Sequence, residues 1–387
     1  MRERSASPNR PYPVVRLGVL PKPETKPKEA ASTALMRRIS HPSLDWLLVF
    51  VPVSIVAELL HQPVVVFISS GLAIVPLAGL IGQSTEQVAA RVGPRLGGLM
   101  NATFGNITEL IVCVLLIGAN NFLIVKASLI GSILGNLLLV LGLSFAVGGF
   151  RHKEQTFSPR AAGVHTASLF LAVAGLLIPA LLVLTTPNVG FVQKEVVSGI
   201  VAIVLIVLYL AALVFTEITH AHLFESKERD AGATWSYRSS IIVLVAAALL
   251  VGLESEFLVG SLDPAIQALQ LPPMFVGLIL IPIIGNAAEH SSAIFFAVKN
   301  RLDITLEIAV GSSTQIAMFV APLLVFISLA LGHPMDFVFS AFEIAVVSVA
   351  TLIVALIALE GRSNWLSGFQ LVGAYIVIAA AAFFISG

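Results

Sequence analysis

The chain has 387 residues, 57% of them hydrophobic and only 11% charged, with 22 lysines and arginines balanced by 22 acidic residues. Soluble domains run nearer ~45–50% apolar and ~25% charged, so the composition excludes an ordinary soluble domain and makes this a membrane protein. The zero net charge implies neither an acidic nor a basic macromolecular partner, and no nucleic acid is expected.

Residues 1–42 carry Arg2, Arg4, Arg10, Arg16, Lys22, Lys26, Lys28, Arg37 and Arg38 among scattered prolines and read as a disordered basic arm. The first thirty residues lack the compact apolar core of a signal peptide, and Glu3, Glu24 and Glu29 depart from the acid-poor pattern of a transit peptide. Eleven apolar segments follow: Trp46–Leu60, Val64–Ile81, Leu99–Ile117, Phe122–Val147, Val164–Leu184, Val196–Phe215, Ile241–Val259, Phe275–Val298, Ile304–Leu331, Phe337–Leu359 and Leu366–Ile385. Most approach or exceed the ~18–20 residues that cross a bilayer as a helix. Continuous apolar runs favour helices over barrel strands, which would alternate with period two in segments of ~10 residues. The expected fold is all-α, a polytopic membrane protein of eleven transmembrane helices.

Placing the basic arm in the cytoplasm and alternating the spans puts Arg91, Arg95, Arg151, Lys153, Arg160, Lys227, Arg229, Arg238, Lys299, Arg301 and Arg362 on the same side. Only Lys126 and Lys194 fall outside. This bias supports both the span count and the orientation, with the C-terminus facing out. Trp46, Trp235 and Trp365 sit near span ends as interfacial anchors, and Glu58, Glu254 and Glu256 are expected at outer span ends in the same role, with the funnelling of cations as the alternative for Glu254 and Glu256. Glu307 and Glu343 are expected to face packed helices or water. The single cysteine, Cys113, excludes an intramolecular disulfide and reads as a small packing residue.

Two polar insertions interrupt the apolar pattern: "NATFGNITEL" at 101–110 and "GNAAEH" at 285–290. Gly105-Asn106-x-x-Glu109 aligns on Gly285-Asn286-x-x-Glu289, and the same offset carries Gly131-Ser132 onto Gly311-Ser312 without a gap. The aligned spans, the third and the eighth, enter the membrane from opposite sides. That is the pattern of an inverted repeat, which places its substrate site near the bilayer midplane where the halves meet. The chain then divides into the arm (1–42), an extra first helix (43–62), a first five-helix repeat (63–216), a cytoplasmic linker (217–238) and a second five-helix repeat (239–387).

Within a helix, residues three apart share a face, so each motif aims an asparagine and a glutamate in one direction. Gly105 and Gly285 let a neighbouring helix or ion approach the backbone, and Pro282 predicts a kink that frees a carbonyl. An ionised carboxylate near the bilayer centre costs at least ~2.5–3.5 kcal/mol, and no lysine or arginine lies in the middle of any span to offset it. Glu109 and Glu289 therefore need a bound cation, protons, or each in turn, and a pair of buried, mutually repelling carboxylates is suited to that trade. Asn106, Asn286, Ser132, Asn136, Ser312, Ser313 and Gln315 add oxygen donors. Hard oxygens with two negative charges suit Ca²⁺, with its irregular shell of ~6–8 ligands, better than Mg²⁺. His290, turned ~100° from Glu289, reads as a supporting group or proton relay rather than a ligand.

At "NATFGNITELI", "GNAAEHSSAI" and "VGSSTQIAMFVAP" the sequence resembles the cation/Ca²⁺ exchanger superfamily, and within it the Ca²⁺/H⁺ antiporters, over roughly residues 42–387. The resemblance implies an extra first helix followed by two inverted five-helix halves. It further implies that Glu109 and Glu289 bind Ca²⁺ alternately with protons, aided by Asn106 and Asn286. Ser132, Asn136, Ser312 and Gln315 would line the site or pathway, and His290 matches the histidine beside the second glutamate. Sodium/calcium exchangers typically carry a proline before the acidic residue and a further acid in the second helix of a repeat. Here Thr108 and Ala288 precede the glutamates and "GSSTQIA" has no carboxylate, which favours protons as counter-ion. The linker lacks a strongly acidic run, so regulation by Ca²⁺ is not expected there, and its His220-x-His222 pair reads as part of a solvated loop.

The expectation is a secondary antiporter with Ca²⁺, H⁺ and lipid as partners, no cofactor and no enzymatic activity. It is expected in a bacterial inner membrane, with a vacuolar membrane as alternative and a homo-oligomer left open. A Na⁺- or K⁺-coupled exchanger and a passive cation channel are the rival functions. Uphill transport separates a channel from an exchanger, and the gradient that drives it separates the exchangers from one another.

Overall fold

The computed structural model describes residues 44–385 apart from 93–96, 98–99, 102, 187 and 221–233. The basic arm and His222 of the linker lie outside the described residues. A 3₁₀ turn, Leu44–Val49, leads into α1 (Phe50–Leu59), followed by α2 (Pro63–Val92), α3 (Ile107–Gly118) and α4 (Phe122–His152). Then come α5 (Pro159–Thr185), α6 (Phe191–Thr219), α7 (Tyr237–Gly260), the short α8 (Leu262–Leu269), α9 (Pro273–Val298), α10 (Leu302–Ala330), α11 (Ala341–Glu360) and α12 (Trp365–Phe384). Among the described residues, nine of these helices are long and apolar enough to cross a membrane, α3 being a shorter apolar helix. Val192, Leu249 and Phe384 are among many large apolar side chains left on the outside, a surface that lipid, not water, would cover.

The helices follow from continuous apolar sequence closed by polar caps. Ser236, Ser340 and Asn364 accept hydrogen bonds from the first-turn backbone of α7, α11 and α12, and Ser340 with Glu343 forms a reciprocal capping box. Glu343 is thereby buried at a helix start. α2 packs along α7, α4 against α9 and α12, and α5 against α11. A two-stranded antiparallel ribbon, β1 (Glu154–Thr156) with β2 (Arg362–Asn364), joins the connector after α4 to the one after α11. Three-residue strands carry no periodicity that a sequence pattern could reveal.

The site-bearing helices are not uniform α-helix. π-turns occupy Gly135–Val140 in α4, Val276–Leu280 in α9, and both Glu307–Gly311 and Ile316–Val320 in α10. A π-turn widens the helix locally and is frequent at functional sites.

Three expectations change. The apolar segment ending at Ile117 is broken at Gly105 and Asn106, which form a turn, so Asn106 caps α3 instead of lying within it. The segment from Phe337 is helical only from Ala341. Residues 333–340 instead form an extended strap whose Phe337 and Phe339 are buried in the core, so their hydrophobicity reflects burial without helix. The strap is tied to three helices and to the α3–α4 connector: His333 Nδ1 lies 2.8 Å from Asn120 Oδ1 of the connector, Met335 N donates to Ser328 Oγ, Phe337 N donates to Ser198 Oγ, and Lys126 pairs with Asp336 and donates to the Val338 carbonyl. Third, Glu254 is not an interfacial anchor. It is fully buried, with Oε1 2.8 Å from Ser54 Oγ of α1, because α1 and α2 cover that face of α7.

Candidate cation site

Both motif regions meet between α3, α4, α9 and α10, and they meet crosswise. Asn286 of α9 donates from Nδ2 to Ser132 Oγ of α4 (3.1 Å) and to its own helix at the Pro282 carbonyl (3.1 Å). Asn106 at the start of α3 accepts at Oδ1 from Ser312 Oγ of α10 (3.4 Å) and donates from Nδ2 to Gln315 Oε1 (2.7 Å). Under the alignment of the two motifs, Asn286 with Ser132 and Asn106 with Ser312 are the same residue pair with the halves exchanged, the serine accepting in the first and donating in the second.

The glutamates and glycines repeat the relation. A β-carbon on Gly285 would lie 3.3 Å from Glu109 Oε1, and one on Gly105 would lie 3.8 Å from Glu289 Oε1. Each glutamate thus faces the bare backbone of the opposite motif. The Gly-Ser pair that follows has a related use at Gly131, where any β-carbon would overlap the Leu278 carbonyl in the π-turn before Pro282. Pro282 directly follows that π-turn, and its carbonyl accepts from Asn286 Nδ2.

Asn106, Asn136, Asn286, Ser132 and Ser312 are buried, Glu109 is 9% exposed, and Glu289, His290 and Gln315 are half-buried. The two carboxylates act on each other electrostatically, and the Ser312 hydroxyl is within reach of Glu289. Glu109 Oε2, Glu289 Oε2, Asn286 Oδ1, His290 Nε2 and both polar atoms of Asn136 are buried with no protein partner among the described residues. Buried polar atoms are ordinarily paired, so a set of orphaned oxygens around two carboxylates marks a place built for a guest. His290 packs at Gly135, within 4.0 Å of where a β-carbon there would stand, and so borders the π-turn of α4. Ser313, also buried, donates its hydroxyl to the Ala309 carbonyl of its own helix.

A small cavity adjoins Glu109, lined by Val112, Cys113, Ser128, Ser132, Pro282 and Gly285 with further apolar side chains. Cys113 Sγ lies 3.5 Å from Ser128 Oγ. Neither residue was expected at the site, although Cys113 falls one helical turn after Glu109, on the same face.

The family model for sodium/calcium exchanger protein matches residues 62–216 and again 239–384. A Ca²⁺/H⁺ antiporter of Aphanothece halophytica is 42% identical over 87% of this chain and 95% of its own length. Vacuolar cation/proton exchanger 3 of Oryza sativa subsp. japonica is 40% identical over 92% of this chain and 89% of its own. The crystal structure of the selenium-substituted Ca²⁺/H⁺ antiporter protein YfkE superposes with a TM-score of 0.76 at 38% identity, covering 88% of this chain and 98% of that one.

Proposed function

The chain belongs to the sodium/calcium exchanger protein family, and we propose that it is a multi-pass Ca²⁺/H⁺ antiporter in which Glu109 and Glu289 carry Ca²⁺ one way and protons the other. The observation that carries this reading is the crosswise pair of glutamates, each with one oxygen, Oε1, against the opposite glycine and the other, Oε2, buried without a partner among the described residues. Two bare carboxylates in a membrane interior cannot both stay ionised and unpaired. A divalent cation neutralises them together, and two protons neutralise them one by one, so occupancy by one guest excludes the other. That mutual exclusion is the physical basis of exchange. Asn106, Asn286 and the hydroxyls of Ser132 and Ser312 complete an all-oxygen shell of the kind Ca²⁺ accepts, and Gln315 holds the Asn106 amide so that its carbonyl faces inward.

In this reading the stretch before Ile107 completes a third span and Leu44–Leu59 makes the first, for eleven crossings in two inverted five-helix halves after the extra helix. The two stretches matched by the family model, and the exchange symmetry of the asparagine–serine contacts, support that division. With the basic arm in the cytoplasm, Val112, Cys113, Ser128 and Pro282 lie on the outer side of the glutamates. The cavity they line is then the outward half of the path, narrowed by apolar side chains that hold back water. Alternating access consists of opening this side while closing the other around the same two carboxylates.

The test is proton-driven ⁴⁵Ca²⁺ uptake by proteoliposomes carrying Glu109→Gln or Glu289→Gln. Glutamine keeps the shape and removes the charge, so each variant loses uptake. Retained uptake in either one refutes the assignment, and uptake driven equally well by a sodium gradient refutes protons as counter-ion.

A further inference from the structure

One carboxyl buried among the spans takes no part in the cation site: Glu254 of α7, in contact with Ser54 of α1. Ser54 Oγ lies 2.7 Å from the Val51 carbonyl oxygen and 2.8 Å from Glu254 Oε1. A carbonyl oxygen has no hydrogen, so the serine hydroxyl is the donor in the first contact. A hydroxyl has a single hydrogen. That hydrogen cannot serve Val51 and Glu254 fully at once: a protonated Glu254 satisfies both contacts, donating to Ser54 while Ser54 donates to Val51, whereas an ionised Glu254 must compete with the Val51 carbonyl for it.

The surroundings agree. Ser54 and Glu254 are both 0% exposed, and Glu254 Oε2 has no polar partner among the described residues. Val51, Leu77 and Val251 form the apolar core beside them. The described elements packed on α7 include α1, α2, α3 and α8. Of their side chains only the Ser54 hydroxyl acts on the carboxyl, and no lysine, arginine, histidine or second carboxylate does. A negative charge there would have one hydrogen bond and no counter-charge, which burial penalises heavily. Among the described residues the Ser54 hydroxyl is the one oxygen donor bonded to Glu254, unlike the cluster of oxygens around Glu109 and Glu289.

We propose that Glu254 is a proton-binding site separate from the transport pair: a carboxylic acid that keeps its proton through the cycle and uses it to fasten α1 to α7. Its position makes that retention consequential. Leu258, one turn further along α7, lines the cavity beside Glu109, so the Glu254 proton is held one helical turn from a residue of that cavity without entering the count.

The test is infrared spectroscopy of the membrane-reconstituted Glu109→Gln/Glu289→Gln double variant at neutral pH, where the transport pair contributes no carboxyl signal. A carbonyl stretch of a protonated carboxyl is expected, and it disappears when Glu254→Gln is added. In the wild-type background Glu254→Gln keeps both the thermal midpoint and the pH profile of Ca²⁺ uptake, because its amide donates to Ser54 as the acid does. Glu254→Ala lowers the midpoint. No band that depends on Glu254, or a glutamine variant as unstable as the alanine one, overturns the proposal. A shifted pH profile in Glu254→Gln overturns the claim that the proton stays in place.

Discussion

Gly285→Ala separates the needs of the helix from those of the site. Gly285 lies inside α9, where alanine is favoured over glycine by about 1 kcal/mol, so the helix backbone itself does not oppose the substitution. The same methyl would stand 3.3 Å from Glu109 Oε1, 3.5 Å from its Cδ and 3.6 Å from its Cγ. The carboxylate must yield by a few tenths of an ångström, which is comparable to the whole ~2.3–2.6 Å spread of Ca²⁺–oxygen distances. Overpacking of this kind costs about 1–3 kcal/mol, or roughly 5- to 150-fold in apparent Ca²⁺ affinity at 1.4 kcal/mol per decade. The assay is the Ca²⁺ dependence of initial proton-driven uptake in proteoliposomes, alongside thermal unfolding. Gly199→Ala and Gly373→Ala, where a β-carbon meets nothing within 4 Å, serve as controls with unchanged Ca²⁺ dependence. Gly285→Ala with wild-type Ca²⁺ dependence and an intact fold would refute the claim that Glu109 works against the bare backbone of the opposite motif.

Gly105→Ala is expected to fail differently, in folded yield and not in affinity, because its methyl meets the Asn101 backbone carbonyl, which cannot swing aside; normal yield would contradict this. Asn106→Ala and Asn286→Ala each remove two side-chain hydrogen bonds and should weaken Ca²⁺ by similar amounts, about 1–3 kcal/mol for the stranded partners. A large loss in only one of them, in the same uptake assay, would break the equivalence of the halves. Phe337→Ala empties a fully buried ring in the strap and should cost about 3–5 kcal/mol of stability, read as a lowered thermal midpoint; an unchanged midpoint would show that the strap is not part of the core. Lys126→Met leaves Asp336 without its ammonium partner and should lower the midpoint through the same strap, an effect that Asp336→Asn in the same chain partly restores.

The apolar runs identified where the long helices lie because lipid forces every backbone polar group to be satisfied within its own helix, which makes hydropathy a nearly local property. The motif spacing likewise marked Asn106, Glu109, Asn286 and Glu289, since a carboxylate in such a run stands out without any knowledge of its neighbours. Locality also explains the differences. Phe337 and Phe339 are as apolar as any residue in a span, yet they fill a strap whose amides are met by Ser328 and Ser198 from other helices. Glu254 sits near the end of its segment, and only the covering by α1 and α2 takes it out of the interface. Ser313 shares its motif with Ser312 but turns its hydroxyl back to Ala309.

The sequence by itself determined that this is a helical membrane protein with two related acidic motifs and no buried basic residue to neutralise them. Tertiary structure alone decided that Asn106 answers to Ser312, Asn286 to Ser132, and each glutamate to the opposite glycine. Those pairings join residues far apart in the chain, and the crossing of four helices fixes them. A one-dimensional pattern records which groups need a partner, but the packing of the backbones selects which partner comes within reach.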